Sequence, residues 1–266
     1  MWAPERLTVD GASLEAASWG PAPGEAPTLV LLHEGLGSLG LWRDFPAQLA
    51  EATGWGVLAF SRRGHGRSDP RPLPRPLDYQ STEAVGAVLD AAGVKDCVLL
   101  GHSDGATMAA VYAGSVSDMR VRGLVLMAPH FFTEPMGLEA IRAAKAAFEA
   151  GPLKEKLAKH HDDPDGMFFG WANVWLDPEF ARWDVSDAID HWRIPCLGIQ
   201  GTDDAYGTLA QLDEIEGRIY SPFERTVLDG IGHAPHLEAP EQTVQAVAAF
   251  CATLGALEAE PVDMGA

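Results

Sequence analysis

The run VLLGHSDGATMAA, residues 98–110, constrains the fold of this chain more than any other stretch. Apolar Val98, Leu99 and Leu100 end at Gly101, and a helix of small residues is expected directly after Gly105. A strand that turns so abruptly into a helix holds the central residue, Ser103, in a strained, left-handed backbone conformation and lifts its side chain clear of the sheet. Bulk two positions before or after would strike the neighbouring strand and helix, so Gly101 and Gly105 are what such a turn requires. The amino end of the following helix lies under Ser103 and favours negative charge there. A hydroxyl presented this way is a nucleophile waiting for a base. The bland alternative is a strand–turn–helix junction with an exposed serine.

A hydroxyl becomes a useful nucleophile when an imidazole removes its proton and a carboxylate orients the imidazole. In sheet enzymes with such an elbow the chain order is serine, acid, histidine. Downstream, Cys196–Gln200 reads as a buried strand and Gly201–Gly207 as the loop at its carboxyl end. Open parallel sheets carry their reactive groups at that edge. Asp204 is the expected acid and Asp203 the reserve choice. Thr226–Leu228 reads as a short strand, followed by the turn Gly230-Ile231-Gly232 and then by His233, favoured as the base over His236. An oxyanion needs two N–H donors. Asp104 would supply one, and the glycine-bearing turn after strand 28–32 the other, from Gly35 or, as the alternative, Glu34.

With these pieces in order the chain resembles the α/β-hydrolase superfamily, in its serine-nucleophile branch, from about Arg6 to Leu254. The resemblance includes the His33 loop followed by Trp42, and AFSRRGHGRSD (residues 59–69), which looks like the family's strand-four turn. It implies a triad of Ser103, Asp204 and His233. Two departures stand out: Glu34 occupies the place of a glycine in many members, putting a carboxyl near the pocket, and Asp104 follows the nucleophile. An inward-pointing Asp104 side chain would oppose an anionic intermediate. A serine rather than an aspartate at the elbow speaks against haloalkane dehalogenase or epoxide hydrolase chemistry. The match to hydrolases of aromatic ring-cleavage products is partial, because His102 precedes the serine and Asp104-Gly105-Ala106 follow it.

The length of 266 residues suits one α/β domain with an insertion. The formal charge of −19 opposes binding to nucleic acid or anionic membranes. No stretch approaches the ~20 apolar residues of a membrane span. Residues 1–20 lack a basic start and an apolar middle, so no signal peptide is expected and a cytoplasmic location follows. The three cysteines, Cys97, Cys196 and Cys251, are read as reduced and buried. Strands are expected at 6–9 and 14–18 (a hairpin turning at Asp10-Gly11), 28–32, 56–60, 96–101, 122–127, 195–200 and 224–228. Helices are expected near 40–52, 79–93, 104–114, 207–216 and 239–253. That alternation predicts a mostly parallel sheet covered on both faces.

Residues 131–192 break the rhythm between the sixth and seventh strands. By resemblance they form a helical cap over a core made of 1–130 and 193–256, with 257–266 a flexible tail. Trp171, Trp175, Trp183 and Trp192 give this segment an aromatic roof, implying a dry pocket for an apolar acyl group. His33, Glu34, His130, Trp171 and Trp175 are the expected pocket residues. KHHDDPDG (residues 159–166) gathers possible metal ligands. Adjacent histidines on a helix point about 100° apart, so it reads as a solvated, acidic loop, with no metal and no cofactor. The expectation is therefore a cofactor-independent hydrolase of carboxylic esters acting on a small acyl substrate, as monomer or homodimer. Carbon–carbon hydrolysis, thioester hydrolysis, acyl transfer and perhydrolysis would use the same parts, and a non-catalytic receptor is the alternative from another class.

Overall fold

Leu29–Leu32 and Val57–Phe60 are uninterrupted apolar runs, and a strand apolar on both faces must be covered on both. In the computed structural model, which describes residues 3, 5–71 and 83–259, these runs are the centre of the sheet. They form β3 (Thr28–Leu32) and β4 (Gly56–Phe60), buried throughout. Around them lie β1 (Arg6–Val9), β2 (Ala12–Trp19), β5 (Cys97–His102), β6 (Val121–Met127), β7 (Cys196–Gly201) and β8 (Phe223–Leu228). The order across the sheet is β1-β2-β4-β3-β5-β6-β7-β8. Among the strands of the described residues, β1–β2 and β2–β4 pair antiparallel, and the pairs from β4 through β8 are parallel. At the β1–β2 turn Asp10 and Gly11 have φ of 48° and 76°, as a two-residue hairpin loop demands.

The helices are α1 (Phe45–Thr53), α2 (Glu83–Ala91), α3 (Asp104–Ser115), α4 (Pro135–Glu149), α5 (Pro152–Leu157), α6 (Pro164–Trp175), α7 (Ala210–Arg218), α8 (Pro235–Glu238) and α9 (Pro240–Ala259). The two-residue period of the strands divides their side chains between two cores. Val30, Leu32 and Leu99 pack with Val88, Ala109 and Ile215 of α2, α3 and α7. Leu29, Leu31 and Leu100 pack with Leu49, Val247 and Phe250 of α1 and α9. Helices therefore cover both faces.

Three boundaries differ from the sequence reading. The helix expected over 40–52 is split into a 3-10 turn (Leu39–Trp42) and α1, because Arg43 between them has φ of 52°. Residues 79–82 of the helix expected at 79–93 lie outside the described residues, and α2 begins at Glu83. The tail expected from 257 is helical as far as Ala259, continuing α9, and residues 260–266 lie outside the described residues.

Between β6 and β7 the chain leaves the sheet to form α4, α5, α6 and two 3-10 turns, Pro178–Arg182 and Ser186–His191. This segment buries a small core of its own, with Ile141, Phe148, Phe168, Trp171, Trp175 and Phe180. Phe148 and Phe168 stack with centroids 3.9 Å apart. Trp171 and Trp175 are one helical turn apart on α6 and so share a face. Trp192 does not belong to an aromatic roof. It is fully buried in the sheet's own core, and its indole N–H donates to the Ala110 carbonyl at 2.9 Å.

Candidate active site

The site begins at the turn from β5 to α3. Ser103 has φ 53° and ψ −119°, an unfavourable conformation for a residue with a side chain. A Cβ at Gly101 would overlap the Gly105 carbonyl, and one at Gly105 would overlap the carbonyl of Leu32. Both glycines are therefore required by backbone contact, as the sequence implies.

Two further loops meet this turn at the carboxyl edge of the sheet. From the loop after β7, Asp204 Oδ2 lies 2.7 Å from His233 Nδ1, and its Oδ1 accepts from the Tyr206 N–H at 2.8 Å. Buried Gln200 also donates to Oδ2, at 2.7 Å. Burial pushes the Asp204 carboxyl up, but hydrogen bonding and attraction from His233, with the Tyr206 N–H, outweigh it and hold the group below its ordinary range. An ionised carboxylate only accepts, so the proton sits on Nδ1, and His233 Nε2 is left to accept from Ser103 Oγ at 2.9 Å. Asp203 is exposed and takes no part in this cluster.

The backbone around His233 is held from both sides. Glu238 of α8 accepts the N–H of Gly232 through Oε2 (2.9 Å) and that of Ala234 through Oε1 (3.0 Å). His102 Nε2 donates to the His233 carbonyl at 2.7 Å, tying the histidine loop to the elbow. His236 lies elsewhere, buried with its ring 4.9 Å from Trp42, and burial lowers its pKa to about 3.

Gly35 and Asp104, the expected oxyanion donors, line the same cavity as Ser103. The Asp104 side chain is buried and turned inward: a Cβ at Gly35 would meet its Oδ2. Glu34 also lines the cavity, with Oε2 accepting the Leu36 N–H at 2.5 Å. Burial raises its carboxyl from 4.5 to about 7, and the nearby Asp104 carboxylate adds to that rise. His33, expected in the pocket, does not reach it. Its ring is buried beneath the loop, with Nε2 accepting from the Arg62 N–H (3.0 Å) and Nδ1 donating to Glu34 O (2.7 Å). An imidazole whose two nitrogens are both satisfied by backbone has nothing left for a ligand.

The cavity holds about 180 Å³. It is lined by Ser103, His233, Gly35 and Asp104 together with Trp171 and Trp175 of α6. His130 lies against Trp175 and 5.7 Å from the His233 ring. Burial, with repulsion from His233, brings His130 down to about 3, so it is a neutral wall residue. Sequence reasoning missed Leu138, Ile141, Thr133 and Tyr206 in this lining. Leu138 and Ile141 were within reach, since in a segment expected to be helical their spacing puts them on one face. The loop position of Tyr206, two residues after Asp204, carried no comparable signal. Among the described residues, no group of three or more His, Cys, Asp or Glu is placed to hold a metal ion.

The comparisons agree with this architecture. Residues 27–214 match the family model described as the alpha/beta hydrolase fold. The chain is similar to a non-heme chloroperoxidase of Streptomyces lividans, at 29% identity over 74% of this chain and 80% of that protein. It is also similar to a bifunctional esterase/perhydrolase of Acinetobacter calcoaceticus, at 27% identity over 74% and 80% of the two chains. The crystal structure of an esterase from Rhodococcus sp. ECU1013 superimposes with a TM-score of 0.69 and 25% identity, covering 96% of this chain and all (100%) of that one. The chain belongs to the α/β hydrolases.

Proposed function

We propose that this hydrolase cleaves small carboxylic esters through an acyl-enzyme formed on Ser103. One observation carries the reading: the continuous relay Ser103 Oγ–His233 Nε2 (2.9 Å) and His233 Nδ1–Asp204 Oδ2 (2.7 Å) beside a cavity lined by Ser103 and His233. His233 Nε2 takes the Ser103 proton as Oγ attacks the ester carbonyl. Asp204 holds the ring and offsets the charge of the imidazolium. The N–H groups of Gly35 and Asp104 receive the tetrahedral oxyanion against the opposing field of the inward-turned Asp104 side chain, which the donors must outweigh. Collapse breaks the C–O bond, and the His233 proton passes to the leaving alkoxide to give the alcohol. Water then attacks the acyl carbon, giving its proton to His233, and the acid departs as Ser103 regains its hydrogen.

In this reading α4–α6 act as a cap that keeps bulk water from the oxyanion, where a lower dielectric strengthens each donor. The cavity is close in size to an engineered one of ~150 Å³ that accepts benzene, which favours short acyl or single-ring acyl groups. A second reading, perhydrolysis, rests on the similarity to the esterase/perhydrolase. Hydrogen peroxide in place of water would release a peracid from the same acyl-enzyme.

The test is turnover of p-nitrophenyl acetate, butyrate, octanoate and benzoate, together with labelling by a fluorophosphonate. The reading expects short and benzoyl esters to be favoured, and both signals to vanish in Ser103→Ala. Turnover by Ser103→Ala close to wild type would refute it.

A further inference from the structure

The oxyanion loop is held by its carbonyls, and the holders outside the loop come from two parts of the chain, the strand-four turn and the segment between β6 and β7. Glu34 O accepts from the Arg62 guanidinium at 2.9 Å, with the His33 ring and the Gly37 N–H on the same oxygen. His65 Nε2 lies 3.1 Å from Gly35 O. His161 Nε2 lies 3.0 Å from Leu36 O. A trans peptide is planar, so the direction of each carbonyl fixes the opposite direction of the following N–H. Anchoring Glu34 O therefore aims the Gly35 N–H, and anchoring Leu36 O aims the Gly37 N–H that itself donates to Glu34 O at 3.0 Å.

His161 differs from the other two holders because it belongs to the segment between β6 and β7. It is 2% exposed, contrary to the solvated loop expected for residues 159–166. Its Nδ1 accepts from the Gly66 N–H at 2.9 Å, so the neutral ring carries its proton on Nε2 and donates that proton to Leu36 O. The Asp162 N–H donates to Gly66 O at 3.0 Å, and Asp162 also pairs with Arg67. Gly66 has φ of 57°, and a Cβ there would collide with Ser61 and Glu15. The ring is thus clamped between the strand-four turn and the oxyanion loop. Trp171, from the same segment, packs against Gly35, where a Cβ would overlap its indole.

We propose that His161 is a positioning residue for the oxyanion loop: by holding Leu36 O it adds to the Arg62 and His33 contacts that aim the Gly35 N–H, and so couples the direction of that donor to the α4–α6 segment. This deepens the serine-hydrolase reading and rests on it. Docking of this segment and the final alignment of the oxyanion donor are thereby coupled. A carbonyl carbon would be attacked more efficiently in a site already covered. The neutral ring faces His65 and Arg67 from the strand-four turn, Glu15 from β2, and His160 from its own segment. Burial, His160 and Arg67 lower its pKa against the opposing effects of the Leu36 carbonyl and Glu15, so the donor–acceptor pattern is kept at neutral pH.

The experiment compares His161→Ala, His161→Leu and His161→Gln by kcat and KM on p-nitrophenyl butyrate and by the rate of fluorophosphonate labelling. A glutamine amide offers both a donor and an acceptor, as the neutral ring does, whereas leucine fills the volume without either. Removing an oxyanion donor outright costs about 10²–10³ in kcat, and misdirecting one should cost about 10–100. The expected result is that fall in kcat and labelling rate for Ala and Leu, KM within about threefold, and glutamine within about threefold of wild type. Should the alanine chain fail to fold, the leucine–glutamine pair makes the same comparison. Wild-type kcat in the leucine variant, or a folded glutamine variant as impaired as leucine, would overturn the proposal. Ser103→Ala run alongside separates the two levels. If it retains turnover the serine reading fails, and if it loses turnover while the His161 variants keep theirs, only the positioning role fails.

Discussion

Glu34 is a buried carboxyl beside a second one, an environment that its type does not prefer. Its carboxyl is raised from 4.5 to about 7 because burial disfavours the charge. Folding therefore favours the protonated form. Below pH 4.5 the group is neutral in both states and costs nothing; the penalty grows as pH rises to about 7 and is constant above it. A shift of that size corresponds to at most about 3 kcal/mol, less whatever solvent screens. Glu34→Gln keeps an acceptor for the Leu36 N–H and cannot ionise. It should gain up to about 3 kcal/mol over wild type in urea unfolding at pH 8 and nothing at pH 4. An equal effect at both pH values would contradict the account. Asp204→Asn makes the complementary point about the relay. An amide N–H facing His233 Nδ1 would force the proton to Nε2, the wrong nitrogen for accepting from Ser103. The shape is kept, and kcat should fall by about 10³–10⁴.

The functional edge depends on short elements that fix loops. α8 is four residues long, yet its Glu238 holds the N–H groups on both sides of His233. Glu238→Ala frees that loop, and a displacement of about 1 Å at the imidazole can cost on the order of 10² in rate. We expect kcat to fall tenfold or more with little change in KM, measured on the same ester. A KM effect alone would mean that Glu238 shapes the pocket and not the relay. This level also shows what sequence can and cannot reveal. β3, β4 and the elbow were legible because their signals are local: an apolar run, or glycines two residues either side of a serine. Asp204 and His233 were legible because each follows a strand at the sheet edge. His161 was not, since its partners Gly66 and Leu36 are 95 and 125 residues away and the residues that follow it, Asp162 and Asp163, are acidic and exposed. His33 misled for the converse reason, since adjacency to the oxyanion loop says nothing about which side of the backbone a ring lies on.

At the scale of the molecule, the edge of the sheet and the segment between β6 and β7 line one cavity, and in the proposed reading the first supplies the reactive groups and the second the cover. The alternation of strand and helix made the sheet readable, whereas the fit between segment and sheet depends on long-range packing. Among the described residues no helix is long and apolar enough to cross a membrane. Trp171 and Trp175 limit the cavity from above, so replacing either with alanine should lengthen the preferred acyl chain from butyryl toward octanoyl. An unchanged chain-length profile would place the acyl group elsewhere. The central claim, a covalent acyl-Ser103 formed through His233, is tested most directly by rapid mixing with p-nitrophenyl butyrate followed by acid quench and peptide mass analysis. The account expects a nitrophenol burst stoichiometric with enzyme, and a butyryl adduct on the peptide containing Ser103 that is lost in His233→Ala. Steady turnover with no adduct on Ser103, or an adduct on another residue, would contradict it.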